Sequence, residues 1–259
     1  ISAAFEACRA NSRPALIPYV TAGYPTRTST FQVLKALANH GADVIELGIP
    51  FSDPLADGPT IQKASFISLE NGTTVEGVLE DLRVFREHSD IPVVLFTYLN
   101  PVLRYGVTSF LADAEAAGAN GLLMTDLPSG SDPELESEVI ASPLDLIRLV
   151  APTTPLDRVP GVASGGSGFL YYISRTGVTG TRSKLRDELK GEVTSIKSVV
   201  GMPVAVGFGI STGEQAAAAG AVADGVVVGS AIIRALEKGG VAEASQFLAT
   251  LRSALDGPS

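Results

Sequence analysis

Eight short runs along this chain are apolar from end to end rather than at alternate positions: Ala15–Thr21, Asp43–Gly48, Pro92–Tyr98, Gly121–Thr125, Leu144–Val150, Gly168–Ser174, Pro203–Gly207 and Asp224–Val228. A strand with one wet face alternates polar and apolar residues. A strand hidden on both faces does not, and such strands belong to parallel sheets covered by helices. Segments of helical spacing lie between the runs. Thr30–His40, Thr108–Ala117 and Gly213–Ala219 each lead to a glycine (Gly41, Gly118, Gly220), which readily closes a helix C-terminus. Eight strand–helix units in 259 residues fit a (β/α)8 TIM barrel of the α/β class. An open doubly wound sheet is the rival, but no GxGxxG turn follows the first strand with an acid about 20 residues later. No linker or shift in composition divides the chain. Residues 1–259 therefore read as a single barrel domain with extra short helices.

Composition removes several kinds of chemistry. Acidic residues outnumber basic ones, 28 to 19, and the basic ones are scattered, which argues against a nucleic-acid surface. The single cysteine, Cys8, and two histidines cannot build an internal disulfide or a Cys/His metal site. No apolar run reaches the ~18–20 residues that span a bilayer, and Ile1–Pro14 lacks a signal-peptide core. A reducing, cytoplasmic setting is expected.

A barrel sorts side chains by position. Those at strand ends or in the following loops face the catalytic side, and those between a helix end and the next strand face the structural side. His40 and His88 both follow a helix and precede a strand, where a helix C-terminus favours a partly cationic group. Histidine general-base chemistry is thereby disfavoured. The six lysines (Lys35, Lys63, Lys184, Lys190, Lys197, Lys238) fall in helices or loops, so none is placed as a desolvated Schiff-base amine.

Carboxylates remain. Glu46 stands inside "DVIELGIPF", in the middle of the second apolar run. An unpaired buried carboxylate costs several kcal/mol, so the position reads either as a Glu satisfied by local donors or as a carboxyl of raised pKa that exchanges protons near neutrality. The loop that follows carries Asp53 and Asp57 among Pro50, Pro54 and Pro59. Prolines reduce the entropy lost when a loop holds one shape. Both aspartates suit turns or helix caps, and Asp57 is the better placed to reach a ligand across the barrel mouth.

Three glycine motifs fall where such barrels bind phosphate: "GVTG" (Gly177–Gly180), "GFGIS" (Gly207–Ser211) and "VVVGSAI" (Val226–Ile232), the last running from the eighth strand into a short helix. Glycines admit backbone N–H groups to an anion, and a helix N-terminus adds favourable potential.

Along nearly its whole length the sequence resembles the tryptophan synthase alpha subunit family. The matching stretches are "LIPYVTAGYP", "ADVIELGIPFSDPLADGPTIQ", "TYLNPVLRYG", "TDLP", "APTTP", "GFLYYISRTGVTG", "GFGIS" and "DGVVVGSAI". The glutamate strand followed by "PFSDPLADGP" is the most specific of them. The resemblance implies a barrel lyase that splits indole-3-glycerol phosphate into indole and glyceraldehyde 3-phosphate by a retro-aldol route. It implies Glu46 as acid–base glutamate, Asp57 as the carboxylate for the indole N–H, and Tyr171 lining the site beside Glu46. It further implies Gly180, Gly209, Gly229 and Ser230 as the phosphate cradle. Tyr19, Phe96, Tyr98, Asp126, Thr179 and Phe208 would be pocket or loop-supporting residues, with Thr179 meeting Asp57. No cofactor is implied, because the indole ring is itself the electron sink. The implied partner is a pyridoxal-phosphate-dependent beta subunit in an alpha2beta2 complex, docking near the loops after the second and sixth strands.

Three other readings share some of these features: a different phosphate-binding barrel enzyme of aromatic amino-acid biosynthesis, a stand-alone indole-releasing lyase, and a silent barrel that activates a partner. Glu46 with Asp57 disfavours the first, and the intact set of site residues disfavours the last.

Overall fold

The structure, a computed structural model, describes residues 1–174, 182–207 and 209–257, without the side chains of 182–187. Among the described residues nine parallel strands form one sheet: β1 (Ala15–Thr21), β2 (Ile45–Gly48), β3 (Val93–Thr97), β4 (Gly121–Met124), β5 (Asp145–Leu146), β6 (Arg148–Val150), β7 (Leu170–Ile173), β8 (Val204–Gly207) and β9 (Gly225–Val228). Their order is β5-β4-β3-β2-β1-β9-β8-β7-β6. The two ends of that order are consecutive pieces of chain separated only by Ile147, so the sheet returns on itself as a barrel of eight staves. The continuous fifth run expected from Leu144 to Val150 is thus broken in two. Its lower half pairs with β4 and its upper half with β7, and the chain passes from one neighbour to the other at Ile147.

Helices cover the outside: α1 (Ser2–Ala10), α2 (Thr30–Asn39), α3 (Pro59–Glu70), α4 (Val75–Arg86), α5 (Leu99–Tyr105), α6 (Val107–Ala116), α7 (Pro133–Ala141), α8 (Val159–Ala163), α9 (Arg182–Val199), α10 (Gly213–Gly220) and α11 (Ser230–Asp256). The helices expected from spacing and glycine punctuation are α2, α6 and α10, each found within a residue or so. Gly41 and Gly118 sit just beyond α2 and α6 with φ of 103° and 87°, a conformation that costs other residues ~1–2 kcal/mol. α11 is two helices joined across a kink at Gly239 and Gly240, so a short first piece begins at Ser230.

Hydrophobic burial forms two layers. Outward-facing strand residues meet the helices in the larger cluster, which includes Leu16, Leu47, Leu95, Leu122 and Tyr172. The barrel interior holds Ala15, Ile17, Val44, Val94, Leu123, Ile147, Phe169, Ala205 and Val227. α1 closes its lower end with Phe5 and Cys8, Phe5 lying 5.5 Å from the Phe169 ring centre. Below, Asp43 accepts hydrogen bonds from Arg13 and Arg252. The barrel is therefore packed at its base, and polar groups are left to its upper end.

Candidate active site

Strand alternation sends Glu46 of β2 inward, one step above Val44 in the interior cluster. It is 1% exposed, and among the described residues its Oε1 has no hydrogen-bond partner. Burial alone pushes its pKa from the ordinary 4.5 up to about 8. Of the two readings left open for Glu46, the lack of a donor to Oε1 among the described residues favours the carboxyl of raised pKa.

Two tyrosines border it. Tyr19 of β1 is the direct register partner of Glu46, is buried, and holds its hydroxyl 3.2 Å from Thr21 Oγ1. Its ring meets Phe96 of β3 edge-on at 5.1 Å. Tyr171 of β7 packs on the same interior cluster. Burial raises both hydroxyls above their ordinary pKa, and the charges of Glu46 and Asp57 act on both in the same direction. The two carboxyl groups thus share one cleft with the two rings.

Asp57 lies half-buried in the loop between β2 and α3. Its Oδ2 accepts a hydrogen bond from the Tyr98 hydroxyl at 3.0 Å, and the same hydroxyl accepts one from Ala56 N–H at 3.0 Å. Burial raises the Asp57 pKa from 3.8 to about 6, with the Tyr98 hydrogen bond pulling it back. Gln62 Nε2 donates to the carbonyls of Asp57 and Pro54, and Ser65 Oγ binds both backbone groups of Phe51, so α3 fixes the loop from below. Asp53 by contrast is exposed, accepts from Ser52 Oγ, and belongs to a local turn.

Asp126, just after β4, is exposed, and its Oδ1 accepts Leu99 N–H at 2.6 Å. It supports the start of α5. Gly229 is the N-cap residue of α11, and Ser230 opens that helix. Ile232 and Ile233 donate to Gly229 O, leaving the earlier N–H groups of the turn without helical acceptors. Gly209 has φ of 75°. Thr179, Gly180 and Phe208 lie outside the described residues, as does the whole "GVTG" motif. Gly207, read as the start of a phosphate motif, is a β8 residue beneath the Tyr171 hydroxyl.

Both histidines, and the described lysines Lys63 and Lys197, stand away from the cleft. His40 and His88 lie just past α2 and α4, each with Nδ1 against a helix carbonyl, Ala36 O at 2.7 Å and Val84 O at 3.1 Å. Lys63 pairs with Glu237 and Lys197 with Asp224, both on the outside. Sequence reasoning missed Gly48 and the Ala56 backbone N–H. Gly48 had a signal, since it stands two residues beyond Glu46 on the same inward face.

With this geometry in view, the chain matches the family model described as tryptophan synthase alpha chain over residues 5–255. The tryptophan synthase alpha chain of Geobacter sulfurreducens is 45% identical over 255 residues, covering 98% of this chain and 97% of that protein. That of Gluconacetobacter diazotrophicus is 50% identical over 238 residues, covering 92% and 87%. Among solved structures, tryptophan synthase subunit alpha from Legionella pneumophila superposes with a TM-score of 0.91 at 36% identity, covering 99% and 98%. Mycobacterium tuberculosis tryptophan synthase gives 0.90 at 37% identity with the same coverage.

Proposed function

The chain belongs to the tryptophan synthase alpha chain family, and from that premise we propose that Glu46 and Asp57 are the acid–base pair of its reaction. The activity is the alpha reaction of tryptophan biosynthesis, a lyase step that cleaves indole-3-glycerol phosphate to indole and glyceraldehyde 3-phosphate. The observation that carries the assignment is the buried Glu46 carboxyl, whose Oε1 has no partner among the described residues and whose pKa is raised to about 8, in one cleft with an Asp57 raised to about 6. Two carboxyls whose environments separate their pKa values supply an acid and a charge stabiliser at one pH.

Near neutrality Glu46 carries its proton and Asp57 is ionised. Glu46 donates to indole C3, which makes the ring an indolenine with positive character at N1. Asp57 accepts the N1–H hydrogen bond and offsets that charge. The Glu46 carboxylate then takes the proton of the side-chain hydroxyl. The bond from C3 to the glycerol carbon breaks, its electrons restore the indole ring, and the carbon leaves as the aldehyde. Glu46 ends protonated as it began. Tyr171, with Tyr19 and Phe96, walls the ring, and Thr179 and Phe208 complete the pocket in this reading. Gly180, Gly209, Gly229 and Ser230 cradle the phosphate, aided by the positive end of α11.

The family works in a tryptophan synthase complex with a beta subunit. We propose an alpha2beta2 assembly with a pyridoxal-phosphate-dependent partner that docks on the Pro50–Pro59 rim, where Leu55 is 89% exposed. In the same reading one barrel domain carries the reaction, in the cytoplasm. The test is indole release from indole-3-glycerol phosphate by the parent, Glu46→Gln and Asp57→Asn. Each variant should lose several orders of magnitude in kcat while glycerol phosphate still binds. Turnover within about tenfold of the parent in either would overturn the assignment.

A further inference from the structure

We propose that Tyr98 positions Asp57, and that it ties the loop after β2 to the loop after β4. The inference rests on the assignment of Asp57 above and adds what holds it in place. Tyr98 is buried, and its hydroxyl has one proton to give and lone pairs to receive. The proton goes to Asp57 Oδ2, and a lone pair takes the N–H of Ala56, each at 3.0 Å. One oxygen atom therefore sets both the backbone and the side chain of the segment that brings Asp57 into the cleft. Its ring packs against Phe51 at the start of the same loop, 5.3 Å between centres.

The other end of Tyr98 is anchored elsewhere. Tyr98 is the N-cap residue of α5 but makes no cap with its own side chain. The cap comes from Asp126, whose carboxylate accepts the next N–H, that of Leu99, at 2.6 Å. Thr125, the residue before Asp126, donates from Oγ1 to the carbonyl of Thr97, the residue before Tyr98, at 3.4 Å. A displacement of the loop after β4 therefore moves the start of α5, and with it the atom that holds Asp57. A side chain that served only as pocket wall would need its ring but not its hydroxyl.

Among the described residues, the titratable groups around Asp57 are Tyr98 at the end of β3, Tyr19 of β1, Tyr171 of β7 and Glu46 of β2. All three tyrosines are pushed above their ordinary pKa of 10 by burial, so none titrates between pH 5 and 9. The acid limb of kcat in that range reports Asp57 and is the readout to use.

The experiment compares the parent with Tyr98→Phe, Asp126→Ala, Asp57→Asn and the Tyr98→Phe/Asp57→Asn double variant, by kcat, KM, melting and the pH profile of kcat. Tyr98→Phe keeps the ring, so it should melt within a few degrees of the parent. Its kcat should fall about 10- to 100-fold, the scale on which small misplacements act, with KM within about threefold. The acid limb should move to higher pH, because the lost hydrogen bond favours the ionised carboxylate. The double variant should be no slower than Asp57→Asn. Asp126→Ala should lower kcat by a smaller factor in the same direction. A Tyr98→Phe rate within threefold of the parent, with the limb unmoved and Asp57→Asn inactive, overturns the role of Tyr98 and leaves the acid–base assignment standing. An active Asp57→Asn overturns both. A parental rate in Asp126→Ala overturns the link between the loops.

Discussion

The hydroxyl of Tyr171 fills the space where a side chain on Gly207 would begin, with the ideal Cβ position only 2.2 Å from the phenolic oxygen. The same relationship recurs on the strand beside Glu46, where Tyr19 Oη lies 2.2 Å from the ideal Cβ of Gly48. In both cases the tyrosine leans over a glycine that pairs with the residue two positions further along the tyrosine's own strand, Ile173 for Gly207 and Thr21 for Gly48. The glycines are the absent half of a packing contact, and they make room for two large rings in the cleft, one on the strand next to Glu46 and one on β7 across the barrel.

Gly207→Ala should therefore act through Tyr171. A methyl group there overlaps the hydroxyl, Cζ at 2.7 Å and Cε1 at 3.0 Å, and a rigid ring cannot clear it by a rotamer change alone. Overpacking of this kind costs about 1–3 kcal/mol, and the displaced ring should lower kcat by about 10-fold or more. Adding Tyr171→Phe removes the closest overlap, so the double variant should regain part of the lost stability. Thermal melting of the three variants reads the outcome; equal losses in single and double variants would contradict it.

Glu46 should make stability fall as pH rises. Its folded-state pKa of about 8 lies above the 4.5 of an ordinary Glu. Between those values the folded chain keeps a proton that the unfolded chain has released, and folding weakens as pH climbs through the window. Glu46→Gln cannot ionise and escapes that penalty. The variant should melt close to the parent at pH 5 and above it at pH 8, with the gap widening between. A gap independent of pH would show that Glu46 is not held neutral by burial.

The barrel and its acid were legible in sequence because burial leaves a direct trace there. Runs apolar on both faces give the strands, and a lone glutamate in one of them stands out by its cost. The break at Ile147 left no such trace, since it records where hydrogen bonds pass from β4 to β7 and not any change in side-chain character. Gly48 read as the end of a strand run and Gly207 as the start of a phosphate motif until strand register put them under Tyr19 and Tyr171. Tyr98 reads as the last residue of an apolar run, and nothing in that run foretells a hydroxyl shared by Ala56 and Asp57. The closing helix α1 was equally silent, with only Phe5 and Cys8 as its buried face.

Gly229 and Gly209 separate the backbone's need for glycine from a ligand's. Gly229 has φ of −105°, and a Cβ there would meet nothing closer than Ile61 Cδ1 at 3.5 Å and Tyr19 Cβ at 3.6 Å. Neither conformation nor packing demands glycine. Gly209, at φ of 75°, would strain any side chain. Gly229→Ala should keep its stability within about 1 kcal/mol, the scale of an N-cap change, yet bind glycerol phosphate at least about 10-fold more weakly. Gly209→Ala should lose ~1–2 kcal/mol from its left-handed backbone as well as affinity. Calorimetric titration beside melting resolves the two, and unaltered affinity in Gly229→Ala would remove that residue from the cradle.

The pH dependence of turnover should be a bell centred near pH 7. The reaction begins with Glu46 protonated and Asp57 ionised, and their pKa values of about 8 and about 6 bound the range in which both hold. As pH falls through 6, Asp57 gains a proton and can no longer offset charge at the indole nitrogen. As pH rises through 8, Glu46 loses the proton it must give to C3. The profile to measure is that of kcat, because the second ionisation of a phosphate ester also lies near 6 and enters kcat/KM through the free substrate. The order of the proton transfers decides the basic limb. Were Glu46 to act first as a base on the hydroxyl, kcat would rise through pH 8 and reach a plateau, since the ionised carboxylate would then be the active form. A fall above pH 8 in the parent, with an acid limb near 6, is the outcome required of an acid that protonates carbon before it accepts a proton back from oxygen.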